Sequence, residues 1–390
     1  MYGWGEAALT RFTPVNKSIT RSPRPVENAL LVSTAADEGS DYNFKSPSAA
    51  QFHHFEREFI SALAETRAFK RLSHIRFLGA LDYFIISNPN GLPQNSRFSR
   101  AQHSFGVATL AQAYLNLREH STHARLVCLA AALLHDIGHT PFSHTLEPLF
   151  QERFGLDHHK ISEEMILGKD KEFEDIKKVL EIFSVDPAEV VEILSGNDTE
   201  FDEFFSGPIN FDTIEGILRS RQYIKMSSMG LHPTRVVEAA TLRLAAADAQ
   251  IVDSFWLAKH DMYNVVIRSA YGAMLDLIFK HIVLSYDNIS PNDFYLTDVQ
   301  AFRKFPNLRS ALNFNEFDRL RERLVGNEID VNVRTFFVDQ SVPFSSRKDV
   351  KRYRQSKKRK TLTLPKLKAF SRERPSEEVN EIDKRCTDLF

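Results

Sequence analysis

Four side chains of the types that bind divalent metal ions are spread along the chain. They are His103 in RAQHSFGV, the adjacent His135 and Asp136 in LLHDIGH, and Asp212 in INFDTIEGIL. Neutral imidazole and carboxylate together suit a divalent metal ion, and the mixture does not choose among Mn, Fe, Zn, Co, Ni and Mg. Such an ion would activate water and polarise a phosphoryl oxygen, so these residues predict hydrolytic chemistry.

The adjacent histidine and aspartate follow a strongly apolar run, CLAAALL. This run predicts a buried helix that would carry Asp136 against a hydrophobic face, where an unpaired carboxylate is costly. For the dipeptide alone, the commoner alternative is a histidine that caps a helix beside an aspartate at the surface. The histidines that follow favour a functional site.

Five of the fourteen histidines fall between positions 135 and 159, and a glutamate, Glu147, lies among them. Imidazole can bind a metal ion, donate to an oxyanion and transfer protons near neutral pH. A cluster of this kind beside a buried carboxylate suits a site that handles phosphate and protons. Its members are His135, His139, His144, His158 and His159.

Helical periodicity dominates the part of the chain that carries these residues. Apolar residues recur at helical spacing from Phe52 to about residue 285, as in FEREFISALAETRAFKRL, whereas alternating strand-like runs are scarce. Asp186 and Pro187 predict a helix start, and Ser195 and Gly196 predict the end of that helix. The fold class expected is therefore mainly α.

Composition shifts divide the rest of the chain. Residues 1–50 are rich in Ser, Pro, Asn and Ala and predict a partly disordered arm. Residues 51–285 form the helical domain, and residues 286–345, which include VNVRTFFVDQSVPF, predict a small α+β appendage. Residues 346–390 are interpreted as a basic tail.

The overall composition suits a folded protein of the cytoplasm. The 390 residues are 43% hydrophobic with a net charge of −1, which disfavours a global attraction to nucleic acid or membrane. Two distant cysteines disfavour a disulfide framework. No apolar run approaches the roughly 20 residues of a membrane span.

Five ordered blocks resemble a known family. They are FKRLSHIRFLG, RFSRAQHSFGVA, LLHDIGHTPFSHTLE, DHHKISEEMI and NFDTIEGILRS. Together they resemble the HD-domain deoxynucleoside triphosphate triphosphohydrolases, a dGTPase-like family, over roughly residues 66–275. The resemblance implies an HD-superfamily helical domain that hydrolyses a nucleotide substrate to nucleoside and triphosphate.

The resemblance also implies roles for individual residues. His103, His135, Asp136 and Asp212 match the family's metal ligands. Arg100 matches an arginine at the substrate phosphates, and Arg219 is expected either to reach a phosphate or to pair with Glu215. His139 and His144 match histidines beside the triphosphate, whereas His158 matches the general acid and Glu147 the carboxylate that orients it. His159 remains an alternative to His158.

Three departures from the family pattern widen the choice of substrate. The positions at which deoxynucleotide-specific members carry Lys, Tyr and Asp are Thr213, Gly216 and Ser220 here. An HD phosphatase or phosphodiesterase acting on nucleoside monophosphates, cyclic nucleotides or nucleic-acid ends is therefore the alternative enzyme. A nucleotide or nucleic-acid sensor is the non-enzyme alternative.

A strongly basic run lies near the C-terminus. Residues 347–360 contain nine Lys or Arg against one Asp. A run of this kind is most often a solvated segment, but it would also bind a nucleic acid or a nucleotide effector through its charge. We expect this tail to be separable from hydrolysis. A homo-oligomer is also expected.

Overall fold

A computed structural model describes most of the predicted helical domain and the region that follows it. The described residues are 53–83, 98–197, 200–223, 230–242, 246–264, 270–312, 319–320, 329–344 and 351–362. The predicted N-terminal arm, residues 1–50, lies outside them.

The described chain is mainly helical, which confirms the fold class expected from the sequence. The α-helices are α1 (His54–Ala64), α2 (Arg67–Leu72), α3 (Arg100–Leu115), α4 (Thr122–Leu134), α5 (Glu147–Phe154), α6 (His158–Ile166), α7 (Asp175–Ile182), α8 (Pro187–Leu194), α9 (Asp202–Phe205), α10 (Phe211–Tyr223), α11 (Pro233–Leu242), α12 (Ala246–Met262), α13 (Ala270–Leu284), α14 (Asp298–Lys304) and α15 (Asn307–Ser310).

Helix α4 is the centre of the core. Every residue from Leu126 to Leu134 is buried, as the apolar run predicts. The helix packs against α3 on one side and against α8 and α1 elsewhere. Because α4 is enclosed, the residues directly after it, His135 and Asp136, emerge inside the protein and not at its surface.

Side-chain caps set the starts of the helices that carry the candidate residues. Ser99 and Gln102 form a capping box at the start of α3, and Asp157 accepts a hydrogen bond from the Lys160 amide at the start of α6. Asp186 caps α8, which has Pro187 at its first position, as the sequence predicts.

A two-stranded antiparallel ribbon follows the helices. Strand β1 (Ile329–Val338) pairs with strand β2 (Tyr353–Leu362), and Val338 lies opposite Tyr353. The ribbon packs on α12, where the rings of Phe336 and Tyr353 contact Trp256.

Within residues 346–390, which were interpreted as a basic tail, Tyr353–Leu362 form strand β2, and the rest of that range lies mostly outside the described residues. One or two strands were expected within VNVRTFFVDQSVPF, and the partner of the strand that forms there comes from the basic run. Arg352 explains why that run folds back, since its guanidinium forms two hydrogen bonds with Asp253 on α12, at 3.1 and 2.6 Å. Counting the charges of the basic run could not reveal Asp253 as a buried partner, because Asp253 lies about a hundred residues earlier in the chain.

The described helices include none long and apolar enough to cross a bilayer.

Candidate metal centre and active site

The four predicted metal ligands come from three helices and meet at one point. His103 lies on α3, His135 and Asp136 follow α4, and Asp212 lies in the first turn of α10. His103 Nε2 is 3.0 Å from Asp212 Oδ1 and 3.6 Å from Asp136 Oδ2. His135 Nε2 is 3.5 Å from Asp136 Oδ1 and 3.9 Å from Asp212 Oδ1. Ligands that share one ion at about 2.0–2.2 Å are separated by roughly 3–3.5 Å, so the spacing fits a divalent metal ion.

Both imidazole rings are oriented with Nε2 toward this point. The His135 Nδ1 nitrogen donates to the Ala132 carbonyl at 3.0 Å, and the His103 Nδ1 nitrogen is bonded to the Glu215 carboxylate. Partners of this kind fix the tautomer and the ring orientation of a metal ligand. The buried Nε2 of His135 has no hydrogen-bond partner in the described part of the chain, which is what a position reserved for a metal ion leaves.

The charges around His103 favour a cation at the same point. Burial disfavours protonation of this ring, but Glu215, Asp212 and Asp136 together raise the pKa of His103 to about 9. Three carboxylates therefore stabilise positive charge in the space that the ligands enclose. A divalent metal ion would neutralise part of the negative charge of these carboxylates, so the residues present fit the ion that the donor set implies.

Glu215 is a site residue that the sequence did not reveal as such. The sequence suggested only that it is one of two alternative partners for Arg219. In the structure its carboxylate is fully buried between His103 and Arg219. Gly106 on α3 permits this contact, because a Cβ there would collide with the carboxylate. The spacing of three residues from Asp212 is the signal that could have identified it.

The two predicted phosphate-binding arginines are both buried beside carboxylates. Arg100 donates to Asp136 Oδ2 at 2.8 Å and to Ser143 Oγ at 2.9 Å. Arg219 donates from Nε to Glu215 Oε1 at 2.7 Å and from its terminal nitrogen to the Gln102 carbonyl at 3.1 Å. Of the two roles expected for Arg219, this arrangement corresponds to pairing with Glu215.

The predicted general acid and its carboxylate are in contact. Both the backbone amide and the Nδ1 nitrogen of His158 are bonded to Glu147 Oε1. His144 Nδ1 lies 2.8 Å from the other Glu147 oxygen. His159 is exposed and its ring lies against that of His158, so the structure brings His158 to Glu147 and not His159.

Electrostatics separates the protonation states of the two central histidines. Burial opposes the charged form of His158, but the Glu147 carboxylate outweighs it and raises the pKa of His158 above its ordinary value. Burial and the positive charges of Arg100 and His158 hold the pKa of His139 well below its ordinary value. The site therefore places a ring that holds its proton more strongly than an ordinary histidine beside a ring that holds its proton more weakly.

His139 joins this pair to the metal ligands. Its ring is stacked on that of His158, with centroids 4.2 Å apart, and its Nε2 nitrogen lies 3.2 Å from Asp136 Oδ1. The predicted ligands and the predicted proton donor are thus parts of one continuous cluster.

A strained turn holds part of the cluster in position. Phe142 and Ser143 have positive φ values of 58° and 52°, which side-chain-bearing residues rarely adopt. Asp298, at the start of α14, accepts a hydrogen bond from the Phe142 amide at 2.7 Å and another from the Tyr83 hydroxyl at 2.8 Å. Sequence reasoning missed Asp298, because it lies in the predicted appendage and no local pattern links it to the turn.

The three departures from the family pattern do not add metal ligands to the site. A Cβ at Gly216 would contact the ring of Phe77 at 3.5 Å and that of His103 at 3.7 Å, so this glycine borders the metal site. The Ser220 hydroxyl donates to the Gly216 carbonyl and is buried. Thr213 lies in the first turn of α10.

Lys259 on α12 is a further buried cation that the sequence did not indicate. Burial lowers its pKa to about 7, although the charge of Asp212 opposes that change. Its ammonium donates to the Pro208 carbonyl at 2.6 Å and lies over the rings of Trp256 and Phe336. Its charge interacts with that of Asp212, so Lys259 acts on the candidate metal site from the side of α12.

Comparisons with known proteins agree with this geometry. The HD domain family matches residues 100–188, which contain His103, His135, Asp136, His139 and His158. Asp212 lies beyond the matched range.

The relatives are similar to this chain over more than the HD domain. The uncharacterised protein YwfO of Bacillus subtilis is 28% identical over 252 residues, which are 61% of this chain and 55% of that protein. An uncharacterised protein of Mycoplasma pneumoniae is 25% identical over 307 residues, 73% of this chain and 69% of its own. The chain thus spans about half the length of the first of these relatives.

The resemblance is confirmed at this level: the chain contains an HD domain, the mark of a superfamily of metal-dependent hydrolases.

Proposed function

We propose that this protein hydrolyses nucleoside triphosphates, with deoxynucleotides included, and releases nucleoside and triphosphate. The observation that carries the proposal is the continuity between the four ligands and the Glu147–His158 pair through His139. A phosphohydrolase needs both a metal-binding set and a proton donor for the leaving oxygen, and here they adjoin.

His103, His135, Asp136 and Asp212 would hold the divalent metal ion. When bound, the ion supplies Lewis-acid polarisation of a phosphoryl oxygen and activation of water. Glu215 and the Ala132 carbonyl keep the two rings in the tautomer that presents Nε2. Arg100 holds Asp136 and so orients a ligand, in addition to contributing positive charge near the phosphates.

His158 acts as the general acid in this proposal. Glu147 keeps the ring oriented through Nδ1 and stabilises its protonated form, so that the proton on Nε2 can pass to the nucleoside oxygen as the bond to phosphorus breaks. His144, whose side chain is 63% exposed beside Glu147, can meet the phosphate oxygens of an entering substrate. His139 is neutral and shields the donor from water by stacking on it.

An HD phosphatase or phosphodiesterase is the second candidate. Gly216 supports it, since a glycine packed beside His103 and Phe77 carries no ring that could enclose a sugar. With Ser220 turned inward, neither residue restricts the substrate to a deoxynucleoside triphosphate. Monophosphates, cyclic nucleotides and nucleic-acid ends then become possible substrates.

A product assay separates these functions. The protein is loaded in turn with Mn, Fe, Co, Ni, Zn or Mg and incubated with ribo- and deoxynucleoside tri-, mono- and cyclic phosphates, and the inorganic products are resolved. Triphosphate from a triphosphate substrate supports the proposal. Orthophosphate from monophosphates, or opening of cyclic nucleotides, supports the second candidate. No turnover in any metal-loaded sample, with nucleotide binding retained, would identify a sensor.

A further inference from the structure

The β-ribbon carries exposed cations beyond its contact with α12. Phe336 and Tyr353 are buried where the ribbon meets the helix. Along β2 from that contact, Lys357, Lys358 and Arg359 are all exposed. Successive residues of a strand point to opposite faces, so the cations emerge on both faces of the ribbon.

Cross-strand pairing places like charges together at this point. Arg334 lies directly opposite Lys357 in the register, next to the pair of Val333 and Lys358. Like charges directly opposite each other in a sheet are destabilising. Among the side chains that the structure describes, no carboxylate forms an ion pair with Lys357 or Lys358. The positive charge of Lys357 and Lys358 is therefore available to an anionic partner.

An exposed aromatic ring accompanies these cations. Phe337 is 54% exposed and lies opposite Arg354, whose guanidinium is exposed and pairs with Asp339 at 2.7 Å. By strand alternation Phe337, Arg354 and Lys358 share one face of the ribbon. An aromatic ring beside cations is the combination with which proteins hold a base and its phosphates.

We propose that the β-ribbon binds a single-stranded nucleic acid, with Lys357 and Lys358 at backbone phosphates and Phe337 beneath a base. A single strand is favoured over a duplex because only unpaired bases offer a free face for stacking on Phe337. Among the ribbon side chains whose exposure the structure describes, Phe337 is the one large apolar side chain that is exposed, so a membrane surface is less suited. The proposal concerns binding and does not depend on which nucleotide the metal site hydrolyses.

The test uses two variants of the full chain and one matched control. Lys357→Gln/Lys358→Gln removes two cations from the ribbon, and Phe337→Ala removes the ring. Lys177→Gln/Lys178→Gln is the control, because it removes the half-exposed Lys177 and the exposed Lys178 from α7, where each pairs with a glutamate. Affinity for a labelled oligothymidylate of about 16 nucleotides is measured as a function of salt.

Each variant has a distinct expected result. Lys357→Gln/Lys358→Gln should bind more weakly and flatten the dependence of log affinity on log salt by about 1.4, the value for two single-stranded phosphate contacts. Phe337→Ala should bind about fivefold more weakly or worse at every salt concentration, with the slope unchanged. The control should match the wild type.

Three results would overturn the proposal. The first is absence of oligonucleotide binding by the wild type at low salt. The second is an equal loss of affinity in the ribbon variant and the α7 control, which would mean a diffuse attraction. The third is tighter, ribbon-dependent binding to vesicles of anionic phospholipid than to the oligonucleotide, which would identify a membrane surface as the partner.

Discussion

The metal ligands can be tested one carboxylate at a time, and Asp212 is the cleaner choice. Its side chain is 57% exposed, so Asp212→Ala should lose bound metal while the fold survives. Asp136→Ala should also lose metal, but it leaves Arg100 buried without its carboxylate and should destabilise the fold by about 3–5 kcal/mol. Elemental analysis and thermal unfolding measure the two effects.

Asp287→Ala is the matched control for this pair, since Asp287 is exposed and distant in sequence from every ligand. It should retain the metal content and the unfolding temperature of the wild type. Full metal occupancy in Asp212→Ala would remove Asp212 from the ligand set.

The general acid can be tested by pH as well as by deletion. Because Glu147 raises the pKa of His158, the proton-donating form persists to higher pH than in an ordinary histidine and is lost as pH rises through that pKa. Glu147→Gln should therefore move the alkaline limb of the kcat/KM profile to lower pH. His158→Ala should lower turnover by about 10²- to 10⁴-fold with metal retained.

His159→Ala is the control for this prediction and should turn over substrate at nearly the wild-type rate. Loss of activity in His159→Ala with a normal His158→Ala would assign the acid to the exposed ring. An alkaline limb that does not move in Glu147→Gln would disconnect this carboxylate from the proton donor.

Whether the sequence predicts a site residue depends on how far along the chain its contact partners lie. The histidines after α4 are local to a specific motif, so their identity and clustering could be read directly. Glu215 could not, because its role depends on how closely α10 approaches Gly106 on α3. Such an approach is a property of packing, and a helical pattern alone does not define it.

At the scale of elements, the turn between α4 and α5 depends on a carboxylate from α14. Asp298 accepts bonds from the Phe142 and Arg76 amides and the Tyr83 hydroxyl. Asp298→Asn replaces one accepting oxygen with a donor, so unfolding free energy should fall by about 1–3 kcal/mol. Turnover should fall as the turn loosens, while metal content stays the same.

Tyr83→Phe is the graded control, since it removes one of the three donors and leaves the carboxylate in place. It should show a smaller loss of stability and turnover than Asp298→Asn. Equal turnover in Asp298→Asn and the wild type would mean that the turn holds its shape without this contact.

The same elements explain which boundaries the sequence could predict. Helices such as α8 were predictable because Asp186 and Pro187 act within one turn. The ribbon was only half predictable: β1 has the β-branched and aromatic residues of a strand, whereas β2 has charges that usually indicate a solvated segment. What makes β2 a strand is its partner strand β1 and the helix α12 beneath the ribbon, and that helix is distant in sequence.

At the scale of the whole molecule, α12 connects the ribbon to the metal site. It packs against β1 on one side and against α10, which carries Asp212, on another. Removing the chain from residue 346 onward would delete β2 and uncover Trp256 and Phe336. A truncation therefore cannot test whether this segment is separable from hydrolysis. Point substitutions at the contact with α12 are needed instead.

The contact between Asp253 and Arg352 allows that test. Both side chains are buried, and Tyr353 also donates to Asp253, at 3.1 Å. Asp253→Ala should lower the free energy of unfolding by about 3–5 kcal/mol, because Arg352 is left as a buried unpaired charge. Asp253→Leu combined with Arg352→Met should recover much of that loss, since an apolar pair of similar volume removes both charges.

Unfolding followed by both calorimetry and near-ultraviolet circular dichroism, to which Trp256 contributes, measures how the ribbon and the helices are coupled. If the ribbon and α12 unfold together with the metal-binding helices, Asp253→Ala should lower a single transition for both signals. An early loss of the Trp256 signal, with the main transition and metal content unchanged, would mean that the ribbon detaches by itself. That outcome would contradict the coupling and would restore the view that the basic segment is separable from the catalytic helices.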